Sequence, residues 1–278
     1  MKKYLAALLF AGCCSLVSTA QQLNIPPPSP PQYIKQDFGL SSIELWYSRP
    51  GVKGRIIFGD LVPYGKVWRT GANNATSIGF GEDVIIGGNK IPAGKYGLLT
   101  IPGANEWTFI ISKQLDVTNP SNYKQDQDLV RVTVPVGTLD FPMETLTIFF
   151  GNMTNKSCEL QLAWEKKLVK LPIQVDADSK IMAGIDEAMN QDNRPYFQSA
   201  MYYMENGKSL DKALEWFNKA IEKNADAYFM FYQKAKCLAK MGRKAEAITT
   251  AQKGIELAKK ADNNDYVALN EKLIAGLK

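Results

Sequence analysis

Histidine is absent from the 278 residues. That removes imidazole zinc ligation, the Ser-His-Asp triad and the Cys-His pair together. Cysteine is scarce: there are four, and Cys13 and Cys14 fall in an N-terminal apolar run, which leaves Cys158 and Cys237. Two thiols cannot close a tetrahedral thiolate site. Standing one in residues 21–175 and one in residues 176–278, they read as two unpaired buried thiols. Beyond the N-terminus no run approaches the ~18 apolar residues that a spanning helix needs. A field of one sign is missing as well: residues 21–175 carry 15 basic and 13 acidic side chains, and residues 176–278 carry 16 and 15. Nucleic-acid binders show a domain-wide basic excess, so no nucleic-acid partner is expected. No cofactor is expected either. Catalysis would have to run on carboxylates, Lys, Tyr or a Ser-Lys pair.

What is present begins with an export signal. Lys2 and Lys3 form a positive n-region, Tyr4 to Val17 is apolar, and Ser18-Thr19-Ala20 is a small-x-small cleavage site. Cutting there assigns residues 1–20 to a signal peptide and places the protein in the periplasm or outside the cell. The alternative is lipid anchoring at Cys13, although Phe10 stands where such a site prefers a smaller aliphatic residue. Residues 21–32, QQLNIPPPSPPQ, hold five prolines. Proline fixes φ and removes an amide donor, so this segment is expected to be an extended linker.

Residues 33–175 alternate with period two between turn signals. Segments such as Ile43-Glu44-Leu45-Trp46-Tyr47, VWRT (67–70), YGLLTI (96–101), WTFIIS (107–112), TLTIFF (145–150), CELQLAW (158–164) and LVKLPIQV (168–175) punctuate the stretch. About nine or ten short strands at this spacing predict an antiparallel β-sandwich or barrel.

From Asp176 the period changes to three and four, which predicts six helices over 178–190, 195–206, 210–223, 228–241, 244–260 and 264–277. Asp211-Lys212-Ala213-Leu214, with Phe217 and Ala220, recurs 34 residues later as Ala245-Glu246-Ala247-Ile248, with Ala251 and Gly254. Gly207 and Gly242 precede the two copies. A 34-residue helix-turn-helix with small residues where helices approach resembles the tetratricopeptide repeat. The resemblance implies a protein partner docked on residues 176–278. Tyr196, Phe197, Tyr202, Tyr203, Tyr228, Phe229, Phe231 and Tyr232 supply aromatic surface there, divided between core and a binding face.

The stretch Ser48–Thr76, SRPGVKGRIIFGDLVPYGKVWRTGANNAT, is unlike ordinary core or loop. It sets Arg49, Lys53, Arg55, Lys66 and Arg69 against one acid, Asp60, and interleaves five glycines with Phe58, Tyr64 and Trp68. Two arrangements account for it. In one, Arg49, Arg55 and Arg69 converge on a small anionic or hydroxyl-rich, sugar-like ligand. Lys53 would add charge, Tyr64 or Trp68 would stack on the ligand, and Asn73 and Thr76 would add neutral hydrogen bonds. In the other, the arginines pair with Glu44, Asp60 and Glu82, and Trp46 and Trp68 sit in the core. Ser121-x-x-Lys124 and Ser209-x-x-Lys212 lack the companion motifs of penicillin-recognising enzymes. Asp126, Asp128 and Glu144 are the carboxylates a hydrolase would draw on.

That stretch, with IGGNKIPAGKYGLLTIP and Trp107-Thr108-Phe109-Ile110-Ile111, resembles a family of secreted bacterial proteins known as domain of unknown function 2911, over about residues 32–175. The resemblance implies export and a compact β domain, and carries no catalytic residue. The expectation is an exported, non-enzymatic binding protein, with a carboxylate-dependent hydrolase of the periplasm as the alternative.

Overall fold

The computed structural model describes residues 25–278. The expected signal peptide, Cys13 and the first part of the proline linker lie outside the described residues. The chain divides into two compact units, Met1–Val175 and Asp176–Lys278.

The first unit is built from two antiparallel sheets. The larger one orders β1 (Pro31–Phe38), β2 (Ser41–Ser48), β3 (Ser77–Phe80), β6 (Gly94–Ile101), β7 (Glu106–Ser112) and β8 (Asp128–Pro135) side by side. The smaller orders β5 (Asn89–Ile91), β4 (Val84–Ile86), β10 (Ser157–Gln174) and β9 (Gly137–Gly151). Alternation decides which face each strand buries. On β2, Ile43, Leu45 and Tyr47 are buried while Glu44 and Trp46 face outward, half-buried.

Three expectations need correction. The linker that composition extends to Gln32 ends sooner, because Pro31 already begins β1, opposite Ser48. Proline is tolerated there because it is the first residue of an edge strand. VWRT is not a strand: it makes one bridge, Trp68 to Thr100. CELQLAW and LVKLPIQV form one long strand, β10, rather than two. Their inward positions are even (158, 160, 162, 164) and then odd (169, 171, 173). A bulge causes that phase break, since the register against β9 shifts on both sides of Glu165, whose φ is +50°.

β2 and β9 belong to different sheets and are joined by side chains. The Tyr47 hydroxyl accepts a hydrogen bond from the Ile148 amide at 2.9 Å. Its own proton faces Gln32 Oε1 at 2.6 Å and the Ile148 carbonyl at 3.2 Å. Burial pushes the phenol above its ordinary pKa, so it remains a neutral donor.

In the second unit, α1 (Asp178–Met189) leads α2 (Tyr196–Glu205), α3 (Leu210–Lys223), α4 (Tyr228–Lys240), α5 (Lys244–Lys260) and α6 (Asn264–Ala275). Each helix from α2 onward packs on the next, and α4 also touches α2 and α6. The repeat explains why these helices form and stop. Ser209 caps α3 by accepting from the Lys212 amide at 3.2 Å. Gly207 and Gly242 take the positive φ, +68° and +76°, that ends α2 and α4. Ala213, Phe217 and Ala220 of α3 are buried, as are Ala247, Ala251 and Gly254 of α5. A Cβ on Gly254 would stand 3.0 Å from the Asn270 side chain of α6, so the small residue sets the helix spacing. These helices are tetratricopeptide-like repeats, spanning α2 to α5 with α6 following.

Replacing Tyr47 with Phe leaves the Ile148 amide unpaired in the core. The expected cost is about 1–3 kcal/mol, read from urea unfolding followed by tryptophan fluorescence, to which the β domain contributes Trp46, Trp68, Trp107 and Trp164.

Candidate functional site

The segment from 49 to 76 connects β2 to β3, far longer than an ordinary loop, and such loops are either functional or internally packed. This one is packed. Pro50 and Val52 bond to β9: the Leu146 amide donates to Pro50 O at 2.9 Å, and the Val52 amide donates to Glu144 O at 2.7 Å. Ile57, Phe58 and Val62 are buried and close a small turn on themselves, with the Val62 amide on Ile57 O at 2.8 Å. Trp68 and Thr100 exchange both main-chain bonds, at 2.7 and 3.0 Å. Beneath the loop lies a cluster of four rings. Trp68 stacks on Trp164 of β10, centroids 5.8 Å apart and planes 16° apart. Phe58 meets Trp107 and Trp164 edge-on, at 4.8 and 5.8 Å.

A cavity of about 520 Å³ opens against that stack. Leu61, Val62, Val67, Trp68 and Trp164 make its apolar floor. Arg55, Lys66 and Arg69 stand at its walls, with Ser29 and Pro120 also lining it, and no described lining residue is a carboxylate. Arg55 lies across its own loop, bonding Val52 O at 3.0 Å and Gly51 O at 2.6 Å. Arg69 donates from Nη1 to Thr118 O at 2.5 Å, while its Nε is buried with no hydrogen-bond partner among the described residues. Carbonyl partners orient a guanidinium without cancelling its charge, so the wall stays cationic.

The structure brings together three of the eight expected ligand residues: Arg55, Trp68 and Arg69. The other five do other work. Arg49 staples β2 to β9, donating to Leu146 O at 3.1 Å and to Thr147 Oγ1 at 2.8 Å. Lys53 is engaged through its amide with Glu144 Oε1 and through Nζ with Pro28 O. Tyr64 is exposed, its ring laid on Gly59, where a Cβ would meet it at 2.9 Å. Asn73, at φ +56°, bonds Ser29 O at 3.1 Å and so holds the segment that lines the cavity. Thr76 is buried and donates to Thr70 O at 3.0 Å.

The competing arrangement needs correction too. Glu44 pairs with Lys35 at 3.5 Å, and Glu82 accepts from the Leu40 amide at 2.7 Å. Trp46 lies on the outer face of the larger sheet, stacked on Tyr33 with Lys95 Nζ 4.1 Å from its ring. Two of the three candidate carboxylates are committed elsewhere: Asp128 to Arg131 Nε at 2.8 Å, and Glu144 to the Lys53 main-chain amide. Sequence reasoning left Trp164 out of the site. It is distant in the chain, and its only signal was its place in an apolar strand. Cys158 and Cys237 are free and buried, and burial pushes the Cys158 thiol to about 12. Among the described residues no helix is long and apolar enough to cross a membrane.

A β domain with a cationic, aromatic-floored cavity followed by helical repeats is the class of protein this geometry defines. The chain belongs to the DUF2911 family of proteins of unknown function, whose model matches residues 29–173. No curated protein matches it. Two solved structures of a tetratricopeptide repeat domain protein from Salinibacter ruber, one from a crystal and one from solution NMR, are each 20% identical to it. They cover 30% and 32% of this chain and 91% of their own, with TM-scores of 0.28 and 0.29.

Arg49→Ala removes the staple between the sheets and is expected to cost about 1–3 kcal/mol in urea unfolding. Arg55→Ala, which loses only bonds within an exposed loop, is expected to stay within about 0.5 kcal/mol.

Proposed function

We propose that this is an exported, non-enzymatic binding protein of the bacterial cell envelope. Its β domain holds a small anion with an apolar body, and its helical repeats dock a protein partner. One observation carries the ligand reading: the Trp68–Trp164 floor is walled by Arg55, Lys66 and Arg69 with no carboxylate among the described lining residues. An aliphatic or aromatic body gains roughly 25 cal/mol per Å² of apolar surface taken from water on that floor. A carboxylate or phosphate head meets the guanidiniums. A hydroxyl-rich ligand is favoured less, because Ser29 supplies the one hydroxyl in the lining. The hydrolase alternative needs two carboxylates across a cleft, and the described lining offers neither. Export rests on Lys2-Lys3, the apolar run and Ser18-Thr19-Ala20. Docking rests on the helical repeats, whose stacked pairs present continuous surface to proteins.

Thermal unfolding of the full chain tests the ligand reading against medium-chain fatty acids, aromatic carboxylates, aryl phosphates and neutral sugars. A ligand at a hundredfold excess over its Kd adds ~2.7 kcal/mol. The amphipathic anions are expected to raise Tm, and Arg69→Met and Lys66→Met to abolish the rise. A rise with neutral sugars alone, or one that survives both variants, overturns the reading. Export predicts a mature chain beginning at Gln21, checked by N-terminal sequencing; a lipidated N-terminus at Cys13 would replace that cleavage with anchoring.

A further inference from the structure

The helical unit carries a second concave site, at the edge of the stack where α2 begins, α3 ends and α4 begins. It is a groove of about 350 Å³. Phe197, Phe229, Met230 and Pro195 form its apolar part, with Phe197 and Phe229 meeting edge-on at 5.4 Å. Asn193, Gln198 and Asn224, which carry side-chain amides, also line it.

One end of the groove gathers three cations. Arg194 donates from Nη1 to the Tyr196 hydroxyl at 3.3 Å. Lys223 Nζ stands 5.1 Å and Lys219 Nζ 5.6 Å from the centre of the Tyr196 ring. The Arg194 hydrogen bond, followed by the charges of Arg194, Lys219 and Lys223, lowers the Tyr196 phenol from its ordinary value. Two acids act nearby: Glu215 is bonded to Lys219 at 2.6 Å, and Asp192 acts on Arg194. No described residue lining the groove is acidic. The balance around Tyr196 therefore stays positive, beside an apolar floor half open to water.

We infer that this groove receives an acidic segment of a partner protein, seating one apolar side chain against Phe197, Phe229 and Met230 while its carboxylates meet Arg194 and Lys223. This deepens the docking reading above and rests on it. Charge complementarity selects the occupant: a neutral apolar peptide leaves the cations unanswered, and a basic one is repelled. The amides of Asn193, Gln198 and Asn224 suit the main chain of an extended segment, whose N–H and C=O groups need partners once covered.

The test measures fluorescence anisotropy of a fluorescein-labelled peptide, Gly-Ser-Glu-Phe-Glu-Asp-Gly, titrated with the full chain. A matched peptide with Gln and Asn in place of Glu and Asp runs beside it. Lys219→Glu with Lys223→Glu reverses the cationic end. Lys259→Glu with Lys272→Glu makes the same change in net charge at exposed positions of α5 and α6. Helical circular dichroism shows that each variant folds. The acidic peptide is expected to bind the native chain at least about tenfold more tightly than its amide counterpart. That preference is expected to vanish in the first double variant and persist in the second. Absence of binding, equal loss in both double variants, or binding that survives Lys219→Glu/Lys223→Glu overturns the inference. The last outcome leaves docking elsewhere on the repeats standing, so the two readings fail separately.

Discussion

Trp68 lying flat on Trp164 is the contact on which the β domain's functional surface depends. Trp164 sits in β10 and is almost wholly buried, anchored further by its Nε1 bond to Glu144 O at 3.3 Å. Trp68 belongs to the long loop and reaches that ring because its main chain is paired to Thr100 on β6. The loop is thus gripped from both sheets. Burial of large rings supplies the stabilisation, and edge-on contacts from Phe58 and Trp107 fix the geometry. The cavity, its floor and the position of Arg69 immediately after Trp68 all follow from that grip.

Three arginines of one stretch show how tertiary context assigns roles that composition cannot. Each guanidinium has the same charge and the same fork of donors. Arg49 follows directly on β2 and meets the open edge of β9, so it replaces hydrogen bonds that a neighbouring strand would have made. Arg55 folds back on carbonyls of its own turn. Arg69 is held by Thr118 O and lines the cavity wall. The helical unit follows the same logic with lysines: Lys219 and Lys223 on α3 are ordinary surface charges until α2 brings Tyr196 beneath them.

Much of the architecture was legible from residues alone. The change from period two to period three and four at Asp176 coincides with the boundary between the compact units. Helix starts and stops followed Ser209, Gly207 and Gly242 because capping is local chemistry. Errors arose where pairing overrode local signal. VWRT has β-favouring residues, but only Trp68 finds a partner strand. The bulge at Glu165 shifted the inward phase of β10, and a period-two reading has no means to join two phases into one strand. Pro31 looked like linker because its neighbours are prolines, while its place opposite Ser48 made it an edge strand.

The sequence by itself determined the periodicities, the turns and caps, the helical repeat, the scarcity of thiols and the charge balance, since each depends on residues close together in the chain. Only the tertiary structure decided that Arg55, Arg69 and Trp68 face one cavity while Arg49, Lys53, Tyr64, Asn73 and Thr76 hold the fold. It also decided that Trp164 completes the floor and that Tyr196 gathers three cations. Those outcomes depend on which surfaces meet after burial, and side chains 96 residues apart, such as Trp68 and Trp164, meet only when both sheets have closed around them.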